Sequence, residues 1–379
     1  MSAHLRWLDS PGSLNAEAYR QLWINHPLAT PFQELAWLRA AAAALPPEAE
    51  VHLLLVESAA GELLGCLAFQ LERETQAGLP LRVLRFLGHP LADRLCLLLT
   101  PACEALLPAI GAAILAHCQP DLIQLHELDA RDTLATGWLA QWQKGICLRE
   151  QRLICTPPEH LLCEDDREEV KGNVRYKLRR ASKRCHAAGV SLNRYQPGAD
   201  QWPALMARIA EVEAASWKGD QGVGVFSGEQ RLAWMRNGLA GLADQGLLCV
   251  VTHELNGQII SYRLGFLTQG RLYDYNLAFL PAYGELGSGR LLLQAWFDWG
   301  LDAGWQVLDA SRVSLESSHQ LHERMTGQQR HERWSLYTMR WRGVAAAGLY
   351  RGWRWLKARK QAKRVAADSK ASVSNGETA

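Results

Sequence analysis

Apolar positions along this chain follow two rhythms. Short apolar or alternating runs closed by glycine, proline or charged residues predict strands at 51–57, 63–71, 81–87, 95–99 and 122–126. A 3.6-residue period predicts a helix over 102–117. The second half repeats this order: strands at 247–253, 259–267 and 271–279, a helix at 289–303 and a strand at 306–309. Asn256-Gly257 lies between the first two of these, and both positions accept positive φ, as a two-residue hairpin requires. The expected fold is therefore α+β: tandem lobes, each a mixed, mostly antiparallel sheet flanked by helices. The breaker run Thr156-Pro157-Pro158-Glu159 places a boundary near residue 160. The predicted parts are lobes over 1–160 and 161–345, a basic amphipathic helix over 346–365, and a small, polar, disordered tail over 366–379.

Composition narrows the class without naming it. With 379 residues, 48% apolar and 21% charged, the chain can bury a large core, which excludes wholesale disorder, collagen and coiled coil. The nine cysteines are scattered and never form C-x-x-C, as expected of a reducing cytoplasm without a zinc site. The first residues lack a signal-peptide pattern, so export is not expected. The longest apolar stretch, 95–118, is broken by Pro101, Glu104 and Pro108, and is expected to fold into the core rather than span a bilayer.

The net charge of +2 hides a division. Residues 171–184 hold seven Lys or Arg and no acid, and residues 340–364 hold nine and no acid. The remainder carries 25 basic against 39 acidic residues, so two basic elements are mounted on an acidic body.

The segment richest in chemistry follows the third strand of the second half: Gly284, Gly287, Ser288, Gly289 and Arg290, leading into an amphipathic helix. Glycines let the backbone approach a ligand, and amides at a helix start favour an anion such as a pyrophosphate. The loop follows an antiparallel hairpin, and no acid ends a second parallel strand about twenty residues on, so a dinucleotide fold fits poorly. A nucleotide-linked thioester fits better. The matching junction of the first half, Leu99 to Glu104, has no glycines and places an acid at the helix start, so one donor site per chain is expected.

Hairpin, strand, G-x-x-G-x-G, helix and strand at 247–309 resemble the acyl-CoA-binding core of the GNAT acyltransferases. Their loop usually begins with Gln or Arg where this chain has Gly284. Pro31-Phe32-Gln33, Arg85 to Gly88, Arg175 to Arg184 and Ser216-Trp217-Lys218 are similar to the tandem-lobed acetyltransferases of cellulose and exopolysaccharide synthesis, relatives of the Fem-type aminoacyltransferases. The resemblance covers about residues 5–345. It implies an acyl-CoA donor, by the family's habit the acetyl ester, held by backbone groups of Leu277, Ala278 and Phe279 and by the glycine loop. A Tyr-Lys pair of that group is replaced here by residues around His319 and His322.

Acyl transfer needs a polarised carbonyl and a base. The period of two puts Asp274 and Asn276 on one strand face, making Asp274 a candidate base, with an arginine pair as the alternative. Asp309 ends the last strand of the repeat and can act as a base or cap the next turn. His319 and His322 share one side of a short helix and can shuttle protons; no third residue at suitable spacing suggests a metal. Trp217 and Lys218 suit a sugar face and an acidic group, or Trp217 is a buried anchor. Arg175 and Arg179 lie on the first basic helix and suit an anionic acceptor or lipid phosphate; signatures that read nucleic acid are missing. The Trp- and Arg-rich final helix suits an anionic membrane surface, or packing on the second lobe.

The leading expectation is a cytoplasmic acetyltransferase, peripheral at the inner membrane face, that modifies an amino or hydroxyl group of a sugar or glycolipid precursor for the envelope or an exopolysaccharide. It needs acetyl-CoA and no metal. The alternatives are Fem-like aminoacyl transfer from charged tRNA and a non-catalytic, membrane-associated assembly factor.

Overall fold

The computed structural model describes residues 3–168, 172–310, 312 and 324–374. Strands β1 (Ala3–Leu8), β2 (Glu50–Ser58), β3 (Leu63–Gln76), β4 (Leu79–Phe86), β5 (Leu122–Asp129) and β6 (Ile146–Cys155) belong to a first sheet. Strands β7 (Pro158–Leu161), β8 (Ser191–Tyr195), β9 (Leu248–Leu255), β10 (Gln258–Thr268), β11 (Arg271–Phe279), β12 (Val307–Asp309) and β13 (Gly327–Gln328) form a second. The last strand, β14 (His331–Thr338), returns to the first sheet, giving the orders β1-β2-β3-β4-β5-β14-β6 and β13-β7-β12-β11-β10-β9-β8. The helices are α1 (Ala16–Asn25), α2 (Leu35–Ala43), α3 (Leu107–Cys118), α4 (Thr133–Gln141), α5 (Gly172–Ala187), α6 (Trp202–Ala214), α7 (Trp217–Asp220), α8 (Gly228–Asp244), α9 (Ser288–Ala303) and α10 (Trp341–Ser374).

Both sheets are mixed and mostly antiparallel, as expected. Asn256 and Gly257 take φ of 51° and 82°, closing the β9–β10 hairpin. Each sheet contains one parallel pair bridged by a helix, β4 with β5 and β11 with β12. These pairs are short: among the described residues β11 meets β12 from Arg271 to Tyr273, and residues 274–279 run on beyond that pairing, leaving a wedge.

In the first sheet the corresponding wedge is filled. Residues 95–99, expected as a strand, form an extended plug. Leu95 exchanges hydrogen bonds with Glu127 and Asp129, and Cys66 donates to the Leu98 carbonyl, each at 2.9 Å. All five plug side chains are at most 4% exposed. A Cβ on Gly65 would lie 2.3 Å from the Leu99 side chain, so the plug depends on that glycine.

The lobes share one core. Phe32 and Trp37 of the first half pack with Trp234, Phe266 and Tyr275 of the second. Helices α2 and α8 approach closely because small residues face each other: a Cβ on Gly241 would come within 2.3 Å of the Ala36 side chain. The apolar segment Pro101–Cys118 is long and apolar enough to cross a membrane, yet Cys103, Ile110, Ile114 and Cys118 are buried in the core. All nine cysteines are free.

Two features depart from the sequence reading. Helix α10 packs on the first sheet, with Ala346, Ala347 and Tyr350 against Leu81, Val83, Leu122 and Tyr337, and not on the second lobe. It also runs to Ser374, past residue 366 where order was expected to end.

Candidate functional site

Three elements converge at the open wedge of the second sheet: the end of β11, the glycine loop before α9, and a loop of the first lobe at Leu91–Arg94. Residues Pro281–Leu286 form a 3-10 turn, Gly287 adopts φ 71°, and α9 starts at Ser288. The first amides of α9 have no partner within the helix and point out of its positive end. Gly287 is needed twice, for its left-handed backbone and because a Cβ would lie 3.3 Å from Ala181 of α5. At Gly284 the nearest atom to a Cβ is an ordinary 3.5 Å away, so sterics alone do not require glycine there.

The basic helix α5 lies against this loop. Arg184 donates to the Glu285 carbonyl, and Cys185 faces the Leu286 carbonyl. Arg175 and Arg179 are exposed on the same helix. The cations noted in the sequence thus stand beside the anion-binding backbone, which was not evident from their separation of about a hundred residues.

A bulge corrects the expected faces of β11. Leu264 pairs with Asn276 while Gly265 pairs with Asp274, so Tyr275 is an extra residue. The period of two breaks there, and Asp274 and Asn276 lie on opposite faces. Asp274 points toward α9, is 2% exposed, and pairs with Arg263, whose Nε and Nη2 donate to the Gly289 carbonyl at 3.3 and 3.2 Å. Burial raises the Asp274 pKa, opposed by Arg263. Asp274 therefore anchors the glycine loop through Arg263.

Asn276 points the other way, into a polar group unseen in the sequence. Its Nδ2 donates to Glu213 at 2.8 Å and to the Tyr262 hydroxyl at 3.0 Å, and Lys218 donates to its Oδ1. Glu213 also accepts from the Phe226 amide at 2.8 Å, tying α6 to the following loop. Burial lowers the Lys218 pKa, with Glu213 and Asp93 opposing. Trp217 is 54% exposed, so it is not a buried anchor.

The first lobe closes the other side. Tyr275 donates to the Leu91 carbonyl at 3.0 Å. Arg94 donates to Asp309 through Nε at 2.9 Å and Nη2 at 2.7 Å, and to Asp93 at 3.1 Å. Asp309 is fully buried and its other oxygen accepts from Gln329 at 2.8 Å, so its carboxylate is engaged as the ion pair that joins the lobes. Asp93 is the less engaged carboxylate; burial raises its pKa, opposed by Arg94 and Arg312. Only the fold brings Asp93 near Lys218.

His319 and His322 lie outside the described residues. Among the described residues, Glu127, Cys155 and His331 place possible ligand atoms within 4.8 Å of one another. Arg312 already neutralises Glu127 at 3.0 Å.

An expected result separates the roles open to Asp274. Asp274→Asn leaves Arg263 buried without its counter-charge, which costs about 3 kcal/mol or more. Unfolding midpoints should fall and KM for the acyl donor should rise. A fall in kcat alone, with stability and donor KM unchanged, would make Asp274 the base.

Residues 172–315 match the family described as acetyltransferase (GNAT) domain. No curated protein matches the chain in sequence. Among solved structures, the chain is similar to FemX, at 11% identity and TM-score 0.57, covering 89% of this chain and 98% of that one. L-PGS from Bacillus licheniformis is similar at 12% identity and TM-score 0.55, covering 90% and 97%. A tandem GNAT protein from the clavulanic acid biosynthesis pathway is similar at 11% identity and TM-score 0.51, covering 89% and 100%. Wedge, glycine loop and family match agree: residues 172–315 match a GNAT acetyltransferase domain, and the chain as a whole has a fold similar to that of tandem GNAT proteins.

Proposed function

We propose that the protein is an acyltransferase that moves an acetyl group from acetyl-CoA to an amino or hydroxyl group of a sugar or glycolipid precursor of the cell envelope or an exopolysaccharide. The observation that carries this reading is the wedge that β11 and β12 leave among the described residues beside the glycine loop, with the first-lobe wedge filled by Leu95–Leu99. One donor binds, in the second lobe. Its phosphates meet the amides of Ser288 and Gly289 beside Arg290, and the cations of α5 supply the charge that Gly284 does not. Its thioester lies along Leu277, Ala278 and Phe279, where the amides that point away from β10 polarise the carbonyl.

The acceptor enters between the lobes, where Trp217 offers an exposed face and Lys218 and Asp93 offer opposite charges. Lys218, with its pKa lowered by burial, is suited to take a proton from the attacking group. The bond that forms joins the acceptor nitrogen or oxygen to the acetyl carbon; the bond that breaks is the thioester, and the thiolate of CoA leaves with a proton.

The test is calorimetry with acetyl-CoA, free CoA and a charged tRNA. Gly289→Glu places bulk and negative charge in the amide cradle and should abolish CoA binding. Normal acetyl-CoA affinity in a folded Gly289→Glu protein would move the site elsewhere. Binding of charged tRNA without acetyl-CoA would favour the Fem-like reading, in which α5 meets the tRNA backbone.

A further inference from the structure

Helix α10 has two opposed faces. Gly343, Ala346, Ala347 and Tyr350 are held against the first sheet, and Tyr350 stacks on Tyr337 with ring centroids 5.7 Å apart. A Cβ on Gly343 would come within 2.6 Å of the Asp121 carbonyl, so the helix is seated closely. At about 100° per residue, Trp341, Ala345, Leu349, Gly352, Trp355 and Leu356 fall on the opposite side. Trp341 is 70% exposed, Trp355 59% and Leu356 53%. An amphipathic helix normally turns its apolar stripe inward; this one turns a second apolar stripe outward.

The stripe is edged by cations. Arg342 lies over the Trp341 ring at 5.0 Å and Arg359 over Trp355 at 5.3 Å, and residues 340–364 hold nine Lys or Arg and no acid. That pattern rejects a second copy, whose helix would set Arg342, Arg359 and Lys360 against the same like charges; Arg340 and Arg354 turn instead to Asp121 and Glu150 of the first lobe. It suits a bilayer, which accepts tryptophan and leucine at the headgroup boundary and lets arginine and lysine reach lipid phosphates. We infer that the outward face of α10 docks the protein on a membrane surface containing anionic lipid. This inference does not depend on the acyltransferase reading.

Each cation near such a surface strengthens partitioning about fivefold, within a Debye length of about 8 Å. The full chain should co-sediment with phosphatidylcholine vesicles containing phosphatidylglycerol, and release as salt rises. Arg359→Ala with Lys360→Ala should weaken this about thirty-fold, and Trp341→Ser with Trp355→Ser should weaken it separately. Both pairs are exposed, so unfolding midpoints should stay unchanged. Equal sedimentation of wild type and variants, equal binding to pure phosphatidylcholine, or no binding to anionic vesicles at low salt would each overturn the proposal.

Discussion

Arg94→Met should destabilise the protein by about 3 to 5 kcal/mol, measured by urea unfolding. Arg94 and Asp309 are 2% and 0% exposed, and the arginine makes two hydrogen bonds to one carboxylate oxygen. Removing the cation leaves a buried anion supported by Gln329 and by Arg271 at 3.6 Å, which places the cost at the lower end of that range. The double variant Arg94→Met, Asp309→Leu should be more stable than the single one, because the uncompensated charge is gone. A loss below about 1 kcal/mol in Arg94→Met would mean that water reaches this junction. Asp309→Asn should behave as a stability variant too; a selective fall in kcat would instead mark Asp309 as the base.

Acid should unfold the protein well before its carboxylates are fully protonated. His253, on β9, is 4% exposed, and burial alone lowers its pKa to about 4. Burial also lowers His89 to about 4, and His331 lies low as well, chiefly through burial and then the Arg94 charge. The unfolded chain takes up a proton near pH 6.5 at each site, whereas the folded chain does not until much lower pH. Stability from each group is therefore present above pH 6.5 and is lost as pH falls toward 4. His253 alone accounts for about 3 kcal/mol at roughly 1.4 kcal/mol per unit.

Glu127 acts in the opposite sense over part of this window. Its pKa is raised to about 7 by burial, so the folded chain protonates it before the unfolded chain does, gaining stability as pH falls from 7. The histidines outnumber it, and the net slope should favour unfolding in acid. His253→Gln should flatten the dependence of the urea midpoint on pH by about one proton. A midpoint constant between pH 6.5 and 4.5 in the wild type would refute the argument.

Much of the fold was legible because its signals are local. The repeat of hairpin, strand, helix and strand needs only apolar periodicity, and β11 spans the predicted 271–279. The glycine loop was legible for the same reason. What escaped depends on contacts distant in sequence or on one inserted residue. Period-two reasoning placed Asp274 beside Asn276, and the bulge at Tyr275 reverses that. Arg94 and Asp309 are 215 residues apart, and neither has a local feature that names the other. The segment 95–99 has the composition of a buried strand, but its role as a plug is set by the wedge it fills. Helix α10 was readable as amphipathic and basic, while the sheet that carries it was not, since β14 leads it back to the first lobe.

The return of β14 also sets the order in which this chain can be completed on the ribosome. Residues 331–338 pair with β5 on one side and β6 on the other. Roughly 180 residues of synthesis therefore separate β6 from the strand that must lie between it and β5, on the order of ten to forty seconds at ordinary elongation rates. Throughout that interval β5 and β6 have unfilled ladder positions along facing edges, the template that recruits foreign strands. The nascent chain, rather than the finished protein, is thus the state most prone to self-association.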